Sequence, residues 1–169
     1  MFFSYNVLKL VRGIKMKKFN LRSLLYYTTI PLMLAFTISM LIPDYSTSYE
    51  SLNKPFNIDS KVFIVVWSIL YVLMGISAYL VDNSNKENIK GALVLYYVQL
   101  FVNLMWPVLF FGFKQILLSL GLLGLLIILV VILIVKFNKI NKVSAYLLIP
   151  YLAWLLFAFY LNLQIFLLN

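Results

Sequence analysis

A bundle of five membrane-spanning helices is the fold this sequence predicts, and three observations predict it. The chain is 64% hydrophobic and 11% charged over 169 residues, whereas a soluble domain is roughly half apolar and a quarter charged. Apolar runs near the ~20 residues needed to cross a bilayer recur five times, at 24–42, 62–81, 91–111, 116–135 and 143–167. The basic residues gather in the tail and in alternate connections. The net charge of +9 is therefore a topology and anionic-lipid signal rather than a nucleic-acid footprint.

The first run follows a basic tail over residues 1–23 and contains Pro31, which predicts a kink. No A-x-A-like cleavage site follows it, so a retained helix is expected rather than a cleaved signal. Met16-Lys17-Lys18 has the look of an alternative start, which would make residues 1–15 an upstream extension. The connection over 43–61 is long and polar, contains Pro43 and Pro55, and is expected to fold as a lid over one end of the bundle. The second run is aromatic-rich. A short polar break at 82–90 leads to the third, and a tight turn at 112–115 leads to the fourth. The fourth, ILLSLGLLGLLIILVVILIV, is apolar all round, with Ser119, Gly121 and Gly124 permitting one close helix contact. The basic segment 136–142 separates it from the fifth run, whose Pro150 lies in the first turns. Short loops force antiparallel neighbours, so residues 24–169 form one domain.

Charge fixes the expected orientation. With the N-terminus cytoplasmic, eleven basic residues lie inside and three (Lys54, Lys61 and Lys114) lie outside, a strong positive-inside bias. The first loop and the C-terminus are then external, and a bacterial cell membrane is the expected location.

The chain has no cysteine and no histidine. Disulfides, thiolate ligands and a conventional zinc site are excluded, and no metal site or resident cofactor is expected. All five acidic residues lie outside the apolar runs, so an intramembrane carboxylate relay is not available. No nucleophile–base pair or phosphate loop is present.

Three runs carry inward-type stripes at helical spacing. These are Trp67, Tyr71, Met74 and Ala78; Gln99, Asn103, Trp106 and Phe110; and Trp154, Ala158, Leu161 and Ile165 with Asn162 beside them. Unsatisfied polar groups cost several kcal/mol in hydrocarbon, so the amides must face other helices or a cavity. Two readings stand side by side. The stripes line a pocket for a flat, apolar, polycyclic ligand, or they are packing surface joined by interhelical hydrogen bonds.

Several motifs in order carry a resemblance. They are Leu52-x-Lys54-Pro55; Val62-Phe63-x-x-Val66-Trp67-x-x-Leu70-Tyr71-x-x-Met74-Gly75; Tyr97-x-Gln99-Leu100-x-x-Asn103-x-x-Trp106-Pro107-x-x-Phe110-Phe111-Gly112; and Pro150-Tyr151-x-x-Trp154-x-x-Phe157-Ala158, then Leu161-Asn162 and Asn169. From about residue 49 to residue 169 the chain resembles the TspO/MBR family, the tryptophan-rich sensory and translocator proteins also known as peripheral-type benzodiazepine receptors. The resemblance implies a five-helix bundle, usually a homodimer, that receives or carries porphyrins such as protoporphyrin IX and other flat apolar ligands. It implies ligand contacts from Trp67, Asn103, Trp106, Trp154 and Ala158, to which the stripes add Tyr71, Gln99 and Phe110. It also implies a lid at Lys54 and Pro55, with Phe56 retained beside them.

Two alternatives accompany this expectation. One is light-dependent porphyrin breakdown through Trp67 and Trp154, although the missing acid–base residues argue against an enzyme. The other is a small bundle transporter or assembly subunit. The chain departs from the family at Ile58, Asp59 and Lys61, where prolines and a tryptophan are common, and at Ser48. Leu163 and Leu167 stand where the sterol motif of animal members needs Tyr and Arg, so sterol recognition through that motif is not expected.

Overall fold

The computed structural model describes residues 19–42, 51–55, 59–86 and 88–169. The basic tail up to residue 18 and Phe56 lie outside the described residues. Among the described residues, five helical segments are long and apolar enough to cross a membrane. They comprise α1 (Leu21–Leu41), α2 (Ser60–Asp82), α3 (Ile89–Pro107, continuing through a π-helical turn, Val108–Gly112), α4 (Ile116–Ile140), and a fifth span made of α5 (Lys142–Leu147) and α6 (Ile149–Leu168).

The helix ends follow local chemistry. The Asn20 side chain caps α1 by accepting from Ser23 N at 3.2 Å. Asp59 caps α2, accepting from Lys61 N at 2.8 Å. Asp59 is one of the residues at which the sequence departs from the family pattern, and here it satisfies a helix N-terminus. Asn88 opens α3 with φ 63° and Lys114 closes the turn before α4 with φ 54°, so both connections use a left-handed residue. Helix α4 runs through Lys136 and Lys139, beyond the expected apolar limit, because lysine is a good helix former and its stem covers apolar surface. Asn141 then ends the helix. Its side chain accepts from Val143 N at 3.0 Å and Ser144 N at 3.3 Å and starts α5.

The helices form a closed ring in which α1 packs on α2 and α3, α2 on α5, α3 on α4, and α4 on α6. The α1–α2 crossing is a close backbone approach. Pro31 lacks the N–H that would bond the Tyr27 carbonyl in a regular helix. Gly75 packs against that same carbonyl, and a Cβ built on Gly75 would stand 2.3 Å from Tyr27 O and 2.7 Å from Thr28 Cα. The glycine is required because backbone, not a yielding side chain, fills the space. On α4 the roles of the small residues separate. Ser119 is fully buried, Gly124 lies 3.6 Å (as a built Cβ) from the Phe159 ring, and Gly121 faces open space.

At the Lys142 end, α2 and α5 are joined by reciprocal bonds. Ser77 Oγ donates to the Ser144 carbonyl at 2.8 Å, and Ser144 Oγ donates to the Ser77 carbonyl at 2.7 Å. At the opposite end the first loop is tied to the end of the fifth span. Asn53 N donates to Asn169 Oδ1 at 3.1 Å, and Asn169 Nδ2 donates to the Asn53 carbonyl at 3.0 Å.

Gly75→Ala is expected to cost about 1–3 kcal/mol by overpacking, read as a lowered thermal midpoint in detergent. Gly121→Ala, with nothing within 4 Å of the added methyl, should not lower the midpoint and can raise it slightly, since alanine is the better helix former.

Candidate functional site

The polar stripe of α3 is the centre of the bundle. Gln99 and Asn103 are buried, at 0% and 2% exposure, and each must find its partners inside the protein. They do so through two phenols. Tyr71 of α2 donates to Asn103 Oδ1 at 2.6 Å. Asn103 Nδ2 donates to Tyr151 Oη at 2.9 Å. Tyr151 of α6 donates to Gln99 Oε1 at 3.0 Å, and Gln99 Nε2 reaches Met74 Sδ at 3.9 Å. One chain of donors and acceptors therefore joins α2, α3 and α6. Tyr151 is the hub, because its hydroxyl accepts from one amide and donates to the other.

The aromatic layer sits directly on this chain. Trp67 lies 5.8 Å from Tyr71, 6.3 Å from Trp106 and 6.2 Å from Tyr151 (ring centroids). Trp106 stacks on Phe110 at 5.4 Å and meets Phe111 edge-on at 5.8 Å. Two consecutive phenylalanines would diverge by about 100° in a regular helix. The π-helical turn after Pro107 changes that phase, and both Phe110 and Phe111 are buried. Asn162 of α6, with its amide oxygen turned toward α3, accepts from Trp106 Nε1 at 3.2 Å and Ser119 Oγ at 2.9 Å and donates to the Ile116 carbonyl at 3.2 Å. This orientation satisfies both ends of the amide.

Six of the residues singled out by periodicity come together here: Trp67, Tyr71, Gln99, Asn103, Trp106 and Phe110. They pack ring against amide rather than standing around a void. Trp154 stands to one side, with Phe63 at 5.8 Å and Phe157 at 5.4 Å. Ala158 is buried one turn beyond it. Beside Trp154 an apolar groove of about 470 Å³ opens between α2 and α6, lined by Val66, Leu70 and Leu73 on one side and Pro150, Trp154 and Phe157 on the other. Trp67 and Trp154 keep partly exposed surface, whereas Trp106 is buried. Lys54 and Pro55 are half-buried, and Leu52 beside them packs against the core.

Tyr151 and Phe63 were quoted in the motifs but not placed on the stripes, and Asn162 was placed only beside one. Tyr151 and Asn162 carried a usable signal, since each is a hydrogen-bonding side chain within an apolar run and must be satisfied. No three-residue cluster of carboxylates, histidines or cysteines occurs among the described residues. The arrangement can stack, hydrogen-bond and exclude water. It holds no charged acid–base pair.

Tyr151→Phe removes the hub and leaves both amides short of a partner. The expected cost is about 1–2 kcal/mol, read by thermal unfolding in detergent, with exposed Tyr146→Phe as the unchanged control.

Comparison with known proteins adds to this geometry. The family model for the TspO/MBR family matches residues 27–168. The tryptophan-rich protein TspO of Chlorobaculum tepidum is 37% identical over 124 residues, covering 72% of this chain and 78% of that protein. The tryptophan-rich sensory protein of Cereibacter sphaeroides is 33% identical over 136 residues, covering 80% and 84%. The translocator protein of Bos taurus is 35% identical over 118 residues, covering 68% and 70%.

Proposed function

The chain belongs to the TspO/MBR family, with the membrane sensory or translocator role that family carries, and from that premise we propose that it is a homodimeric receptor or carrier for porphyrin-like ligands. The observation that carries the proposal is the indole surface built on the α3 amides. Trp67 and Trp154 are partly exposed, and Trp67 is braced from behind by Trp106, Tyr71 and Tyr151. Flat π-systems gain about 0.5–1.5 kcal/mol per good aromatic contact beyond area burial. The chain from Tyr71 to Gln99 fixes the rings, so little ordering cost remains at binding.

The ligand enters from the end bearing Leu52, Lys54, Pro55 and Lys61. Amphipathic tetrapyrroles bear carboxylates on one edge, and of the three cations at this end, Lys54, Lys61 and Lys114, the first two lie in or next to the first loop. The macrocycle lies against Trp67 and Trp154, above the buried layer that holds Asn103 and Ala158, with the 51–55 segment closing over it. The Asn53–Asn169 pair holds that segment to the end of α6. The positive-inside bias supports an orientation with this end outside the cytoplasm.

Protoporphyrin IX titrated into the purified chain should quench tryptophan fluorescence saturably in the micromolar range. Trp67→Phe or Trp154→Phe should weaken binding up to about tenfold, the equivalent of one lost stacking contact. Lys54→Gln should weaken the porphyrin and spare an uncharged isoquinoline ligand. A flat titration contradicts the proposal.

A second reading, light-dependent breakdown of the bound porphyrin, draws support from the redox-capable rings gathered at Trp67. Under illumination, porphyrin absorbance should then fall faster with the chain than with the Trp67→Phe/Trp154→Phe double variant. Equal rates leave binding alone.

A further inference from the structure

The seam between α2 and α6 is pinned at two heights and open between them. Toward the Lys142 end, the Ser77–Ser144 pair holds α2 to α5. On the far side, the Phe63 and Trp154 rings meet across the seam at 5.8 Å. Between these pins lies the groove of about 470 Å³. Leu73 to Val66, like Pro150 to Phe157, covers two helical turns, roughly 10 Å. Pro150 itself is two turns beyond Lys142, so the groove lies roughly 12 Å above that charged end, inside a hydrocarbon layer about 30 Å thick.

The chemistry of the lining narrows the occupant. An apolar groove that faces lipid tails takes apolar guests. The lining offers no cation and no hydroxyl, so the carboxylates of a porphyrin would find no partner at this depth. The groove opens sideways, where the solvent is lipid tail. It also runs along the helices rather than across them, matching an extended chain better than a disc.

We infer that this seam is a lipid site: one acyl chain of a bilayer lipid lies between α2 and α6, along the membrane normal, against the rings of Trp154 and Phe157. The site is distinct from the proposed porphyrin site and does not depend on it. The two share Trp154, so a chain in the seam packs against the indole that the ligand would stack upon. The Trp154 indole N–H has no hydrogen-bond partner among the described residues, and no polar bond holds the ring where it is. Its restraint is packing, from Phe63 and Phe157 and from whatever fills the seam.

The full chain reconstituted with a phosphatidylcholine carrying a photoactivatable diazirine at mid-chain tests this directly, with adducts mapped by mass spectrometry. Adducts should concentrate on Val66, Leu73, Ala153 and Phe157, above the density at Ile128 and Ile132 on the lipid-facing side of α4. Ala153 is exposed, so Ala153→Phe fills the groove without touching the core and should cut seam adducts about tenfold. Ile69→Phe, at the groove mouth, should act alike and guards against one variant misfolding. Protoporphyrin IX should leave the seam adducts in place. Seam labelling no denser than on α4, labelling unaffected by both variants, or displacement by the porphyrin would each overturn the assignment.

Discussion

Two carboxamides placed in hydrocarbon govern the rest of this structure. Gln99 and Asn103 cannot turn to water and cannot face lipid without a cost of several kcal/mol each. Their pairing with Tyr71 and Tyr151 draws α2 and α6 onto α3 and sets the rotational phase of all three helices. Trp67 is then obliged to lie against Tyr71, Trp106 and Tyr151. Asn162 repeats the logic one level away, tying Trp106 to the α4 terminus through Ser119 and Ile116. The aromatic surface is a consequence of polar satisfaction, and apolar packing alone would not fix its orientation, since lipid tails are as apolar as leucine.

The backbone devices serve the same end. Pro31 frees a carbonyl and Gly75 occupies the space beside it, so α1 can sit close to α2 without a side chain between them. Pro107 precedes a π-helical turn that brings Phe110 and Phe111 together under Trp106. Rigid elements thus carry the rings, while the loop segment 51–55 is held by hydrogen bonds to Asn169, which open at little cost because they are exposed to water. The aromatic layer and the 51–55 segment are in this way given different stabilities.

Much of this was legible beforehand. The five spans and their antiparallel order follow from hydropathy and short polar breaks, and the ends were misjudged only by a few residues, as at Lys136 and Lys139, where helix propensity outlasts apolarity. The stripe Gln99–Asn103–Trp106–Phe110 did face inward. What periodicity does not encode is partner choice. It places Trp67, Trp106 and Trp154 on three stripes, but whether stripes meet across a void or in contact depends on side-chain lengths, and here the phenols of Tyr71 and Tyr151 are long enough to close the middle. Trp154 consequently lies beside Phe63 and Phe157 at the α2–α6 seam. The phase change at Phe111 was equally hidden, because a π-helical turn leaves no simple sequence mark beyond the proline before it.

The most direct measurement is a structure of the chain in a lipid disc with protoporphyrin IX bound. The account predicts the macrocycle against Trp67 and Trp154, its carboxylates toward Lys54 and Lys61, and the Tyr71–Asn103–Tyr151–Gln99 chain unbroken beneath it. A macrocycle held on the outer surface of the bundle, with both indoles as they stand in the free chain, would contradict it.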